Sequence, residues 1–131
     1  MGEGAAFPSE AWVTQLPEVY GALPPAEGAT AVVEHTVSGT PGGEAVYWTE
    51  FTEGRLIAAG VGPRPDATVT MTAPYAVAAA VATGEVEASV AFMQGRTKVG
   101  GDQALLLRLL AVTATPEYRV ATAGLADRTA T

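Results

Sequence analysis

The sequence predicts an α+β fold, and three observations carry that prediction. Segments with alternating side chains cluster between Thr30 and Met71, helical patterning dominates from Thr72 onward, and the strand faces separate into an apolar and a polar set. Strands grouped ahead of helices, with one sheet face apolar, are satisfied by a sheet that carries its helices on a single side. A chain of 131 residues is long enough to bury one core.

The elements follow in order. Residues 1–8 read as a flexible N-terminus and residues 9–126 as one domain. A first helix is expected from Ser9 as N-cap to a stop at Pro17, with Trp12, Val13 and Leu16 on its apolar face. Residues 21–28, with Pro24 and Pro25, form a connector. The first strand spans Thr30 to Val37, with Ala31, Val33, His35 and Val37 on one face and Val32, Glu34 and Thr36 on the other. After a turn at Thr40–Gly43, a second strand runs from Ala45 to Phe51, and Thr52-Glu53-Gly54 turns it into a third from Arg55 to Gly60. The fourth strand, Ala67 to Met71, sets Val69 and Met71 against Thr68, Thr70 and Thr72.

Thr72 as N-cap and Pro74 in the first turn predict an alanine-rich helix to Thr83, ended by Gly84. Glu85 and Glu87 open the next helix, which carries Val90, Phe92 and Met93 and ends at Gly95. A fifth strand is expected at Arg96–Val99, a Gly100-Gly101 turn follows, and Asp102 caps a leucine-rich helix. The last helix starts at Thr115-Pro116-Glu117 and carries Tyr118, Val120 and Leu125.

Composition excludes several classes of function. A net charge of −7 with only seven scattered Lys and Arg opposes nucleic-acid binding, which needs clustered cations, and opposes docking to an anionic membrane. Zero cysteines remove disulfides, thiolate metal sites and a cysteine nucleophile. No apolar run approaches the ~18 residues of a membrane span, so no stable membrane insertion is expected. Met1-Gly2-Glu3-Gly4 carries no signal-peptide pattern, and a cytoplasmic protein is expected. Serine-hydrolase, zincin, phosphate-loop and dinucleotide motifs are missing, and neither cofactor nor metal site is expected.

The chemistry-bearing residues are few. Leu105, Leu109 and Val112 recur at i, i+4 and i+7 with Leu106 and Leu110 beside them, a stripe that fits a core helix or a cavity wall. Alternation places Tyr47 and Phe51 on one face of the second strand and Trp48 on the other, without saying which face is inward. His35, the only histidine, cannot pair with its neighbour Glu34 across the strand, whereas Glu50 on the next strand is within geometric reach. His35, Glu50 and Thr97 are thus the weak catalytic candidates. Gln94 either orients a ligand or caps its own helix.

The stretch Ala91-Phe92-Met93-Gln94-Gly95-Arg96-Thr97-Lys98-Val99-Gly100-Gly101-Asp102, running into Gln103-Ala104-Leu105-Leu106-Leu107-Arg108-Leu109-Leu110, resembles the signature of the sterol carrier protein-2 (SCP2) family. The likeness is best from Asp66 to about Ala123 and extends upstream through Phe51–Leu56 and Ser9–Trp12, as in small stand-alone bacterial members. It departs at Thr97, where most members carry a larger aliphatic residue. The resemblance implies a five-stranded sheet, helices over one face, and an apolar tunnel between them. With it, the ligand-binding set is expected to be Phe51, Val69, Met71, Val90, Phe92, Met93, Gln94, Leu105, Leu106, Leu109 and Tyr118. The implied function is to bind and carry a fatty acid, acyl, sterol-like or terpenoid-like lipid. The alternatives are a pocket cyclase, isomerase or dehydratase acting on a polyketide- or terpenoid-like intermediate, and a dimerisation module. The expected partner is an apolar small molecule, and a homodimer is compatible with the sequence.

Overall fold

The computed structural model describes residues 5–130. Its centre is a five-stranded mixed sheet built from β2 (Ala31–Thr40), β3 (Gly43–Thr52), β4 (Arg55–Val61), β5 (Val69–Pro74) and β6 (Lys98–Gly101), in the order β4-β3-β2-β5-β6. Only β2 and β5 run parallel; the other neighbours are antiparallel. A short parallel pair, β1 (Ala5–Ala6) with β7 (Thr129–Ala130), joins the two ends of the described chain. The helices are α1 (Glu10–Val13), α2 (Leu16–Tyr20), α3 (Tyr75–Ala82), α4 (Ala88–Met93), α5 (Gln103–Thr113) and α6 (Pro116–Ala126).

Burial explains why the helices gather on one side. Val33, Val37, Tyr47, Thr49, Phe51, Val69 and Ala73 are buried on the inner face, while Thr68, Thr70 and Thr72 face solvent. The α+β, one-sided sheet expected from face alternation is the architecture observed. Register places His35 between Tyr47 of β3 and Met71 of β5, so the inner residues of three strands form continuous rows.

Several boundaries move for local reasons. The expected first helix is two: α1 ends at Val13, and Pro17 falls in the first turn of α2, where its missing N–H costs nothing. Thr72 does not cap α3. Ala73 and Pro74 stay paired with Val37 and Ser38, so β5 persists until Tyr75 opens the helix. Gly100 and Gly101 are the end of β6 rather than a turn. Gly101 has φ +92°, and a Cβ there would collide with the Thr68 carbonyl oxygen, so glycine lets β6 close onto β5. The caps Ser9, Asp102 and Thr115 each accept the backbone N–H three residues on, at 3.3, 3.1 and 3.3 Å. Of the segment 1–8 expected to be flexible, Ala5 and Ala6 form β1 and Phe7 is buried against Trp12, ring centroids 4.7 Å apart; residues 1–4 lie outside the described residues.

Candidate functional site: an apolar cavity between sheet and helices

The inner sheet face and the helices do not close fully on one another. Between them lies a cavity of about 160 Å³, partly open to solvent. Its floor is Val33, His35 and Val37 of β2, Tyr47, Thr49 and Phe51 of β3, and Met71 of β5. Its roof is Ala78, Val81 and Ala82 of α3 with Ala88 and Phe92 of α4, and its walls are Leu109 and Leu110 of α5 and Tyr118 of α6. Trp12, Leu16 and Tyr20 close the end under α1 and α2. Small residues leave space beneath the roof: of the α3 residues that line the cavity two are alanines, and α3 carries no fully buried side chain.

Among the described residues no Asp, Glu, Lys or Arg lines the cavity. Its polar side-chain atoms belong to histidine, threonine, tyrosine and the Trp12 indole. The His35 ring stacks on Tyr47, centroids 4.4 Å apart and planes 6° from parallel, and its Nε2 lies 3.0 Å from Thr49 Oγ1. Burial pushes the imidazole down to about 4, so the ring is neutral at pH 7. At the other end Tyr20 stacks on Tyr118 at 4.5 Å and shares a 2.8 Å hydrogen bond with Thr122. Burial raises the hydroxyl pKa of Tyr20, Tyr47 and Tyr118.

The expected ligand-binding residues divide. Phe51, Met71, Phe92, Leu109 and Tyr118 meet at the cavity, and so does Thr97. Val69 and Leu106 are buried at 0% and 1% exposure within packed core, away from it, and Leu105 is half-buried against that core. Val90 and Met93 of the six-residue α4 point outward, Met93 being 81% exposed. Its inward arc is taken by Ala88, Ala91 and Phe92, at i, i+3 and i+4, which leaves the opposite arc to Val90 and Met93. Gln94 is exposed, its backbone N–H bonds the Val90 carbonyl, and its side chain accepts from Arg96 at 3.3 Å.

The structure does not bring Glu50 to His35. Glu50 stands on the outer sheet face 3.5 Å from Arg64, whose guanidinium lies 4.3 Å over the Trp48 ring. The expected ligand-binding set left out Trp12, Leu16, Tyr20, Leu110 and the α3 alanines Ala78 and Ala82, all of which line the cavity. Once Phe51 is inward, Thr49 and Tyr47 follow by alternation; alanine in a roof helix leaves no such signal. A larger surface groove, about 340 Å³ between residues 23–29 and α5, is bordered by Glu27, Arg108 and Glu117 and touches none of the expected ligand residues. Among the described residues no three His, Asp or Glu side chains gather as metal ligands, and no helix is long and apolar enough to cross a membrane.

A one-sided five-stranded sheet with its helices packed over an apolar cavity defines an α+β fold. The chain belongs to the SCP-2 sterol transfer family, whose family model matches residues 16–113. Among solved structures it is similar to a crystal structure of sterol carrier protein 2, at 18% identity and TM-score 0.67, covering 87% of this chain and 95% of that one. A solution structure of a conserved hypothetical protein, possibly sterol carrier protein, from Thermus thermophilus is 15% identical with TM-score 0.64, covering 96% of both chains. The palmitated sterol carrier protein 2-like 2 of Aedes aegypti is 19% identical with TM-score 0.56, covering 66% of this chain and 74% of that chain. No curated protein matches the chain.

Proposed function

We propose that this protein binds an apolar small molecule of the lipid class in the cavity between sheet and helices and carries it through water. The observation that carries this reading is the cavity itself: a volume of about 160 Å³ walled mainly by aliphatic and aromatic side chains, with no Asp, Glu, Lys or Arg among the described residues that line it. Family membership and the palmitated relative support a fatty-acyl or sterol-like occupant. Affinity comes from burial, at about 0.8 kcal/mol for each methylene removed from water, without any catalytic group.

Size sets a further condition. A cavity of about 160 Å³ is the size of one that takes up a single benzene-sized ring. A longer ligand fits by lifting the roof or by extending through the open side. The roof suits such a movement, since α3 contributes no fully buried side chain and α4 only Ala91. The alternative of a pocket enzyme finds one polar pair, His35 with Thr49, and no carboxylate within the lining to complete an acid–base couple.

Native purification, intact native mass spectrometry and organic extraction test the reading. A copurifying lipid-like molecule in stoichiometric amount is expected. An empty protein that takes up neither fatty-acid nor sterol probes would refute it.

A further inference from the structure

The cavity carries one polar group that packing alone does not explain. His35 is the only histidine of the chain, and it sits on the inner face of the central strand, in register with Tyr47 on one side and Met71 on the other. Among the described residues its ring makes one hydrogen bond, Nε2 to Thr49 Oγ1 at 3.0 Å. The Thr49 side chain makes no other, and the residue is 3% exposed. Nε2 is the one side-chain acceptor among the described residues within hydrogen-bond distance of this hydroxyl, a geometry that favours Thr49 as donor and Nε2 as acceptor. A neutral imidazole whose Nε2 accepts must carry its proton on Nδ1. No buried side-chain nitrogen or oxygen among the described residues lacks a partner, so the unbonded Nδ1 is open to the cavity that His35 lines.

We propose that His35 is the polar anchor of the cavity. Its Nδ1–H, fixed by Thr49, donates a hydrogen bond to an uncharged acceptor oxygen on an apolar ligand, so the site prefers ketone, ester or ether oxygens to carboxylates. The inference rests on the carrier reading and narrows it. Discrimination against anions follows from the lining, which has no Lys or Arg to compensate a buried negative charge. Preference over hydrocarbon follows from the donor, which otherwise loses its bond to water when an apolar ligand fills the space.

A set of planar isosteres tests this, each one ring in size to match a cavity of about 160 Å³: α-methylstyrene, acetophenone and benzoate, which differ only in C=CH2, C=O and carboxylate. Binding to the ligand-free protein at pH 7.5 is followed by amide NMR titration, and the tautomer by long-range 1H–15N correlation, unambiguous because the chain has one histidine. Acetophenone is expected to bind roughly five- to tenfold more tightly than α-methylstyrene, as one net hydrogen bond provides, and benzoate more weakly than either. The ring is expected as the Nδ1–H tautomer. In His35→Phe the ketone preference should vanish while α-methylstyrene still binds. Should that variant fail to fold, Thr49→Val keeps the ring, releases the tautomer, and should reduce the preference.

Equal affinities for ketone and hydrocarbon, an Nε2–H tautomer, or tightest binding of benzoate would each overturn the anchor while leaving the carrier reading in place. If none of the three perturbs the cavity amides, the anchor is rejected, and the carrier reading is decided separately by uptake of the fatty-acid and sterol probes.

Discussion

Ala78→Leu isolates the cavity from every other feature of the fold. Ala78 sits mid-way along α3 and faces the cavity, so leucine keeps helical propensity and projects new carbon into free space. The free energy forgone by leaving that space unfilled is bounded by its volume: about 24 cal/mol per Å³ over about 160 Å³ gives roughly 4 kcal/mol. The cavity is partly open, so this is an upper bound. Leucine adds three carbons worth about 0.8 kcal/mol each, less about 0.5–1 kcal/mol of side-chain entropy, for a net gain of about 1.5 kcal/mol. Ligand-free Ala78→Leu should therefore melt roughly 3–6 °C above the parent by circular dichroism. Its occupancy by copurifying ligand, read by native mass spectrometry, should fall. A lower melting temperature, or occupancy unchanged beside a raised one, would refute the assignment of α3 as the cavity roof.

Other outcomes follow from the same geometry. Met93→Asp should leave stability within about 0.5 kcal/mol and binding unchanged, because the side chain stands in solvent, while Leu109→Asp, at 5% exposure, should prevent folding or empty the cavity; urea denaturation and ligand occupancy read both. Asp102→Ala should cost about 1 kcal/mol by removing the acceptor for Leu105 N–H. In hydrogen exchange, α3 amides should be the least protected of the helices on the cavity, and ligand should slow them selectively. His35 has its folded-state pKa depressed, so between pH 6.5 and about 4 the unfolded chain binds the extra proton and stability falls as pH falls. The loss should be on the order of 2–3 kcal/mol over that window, it should be absent in His35→Phe, and chemical denaturation at stepped pH measures it.

What could be read from the sequence depended on how local its cause is. The caps Ser9, Asp102 and Thr115 act within three residues and stand where expected. The split of β5 into an apolar and a threonine face is a property of alternation and holds along the strand. Thr72 misleads because the decision between strand and helix there is made by β2, 36 residues earlier, which keeps Ala73 and Pro74 in its ladder. At the site, Phe92 and Met93 are adjacent and equally apolar; which one faces inward depends on the rotational phase of a helix too short to reveal it by periodicity. The β1–β7 pair is hidden for a related reason, since two-residue strands 124 positions apart, Ala5 with Thr129, have no pattern of their own.

The two tryptophans stand on opposite sides of the sheet, and that separation makes the protein its own optical instrument. Trp12 is 3% exposed, lines the cavity, and donates from Nε1 to Thr129 at 3.1 Å. Trp48 lies on the outer face over Gly60, where a Cβ would come within 2.6 Å of its ring, and beneath Arg64. An occupant of the cavity changes the surroundings of one indole and leaves the other untouched. In Trp48→Phe, emission from the remaining tryptophan reports filling and emptying in real time, without a label, and stopped-flow mixing with vesicles would time the delivery of cargo.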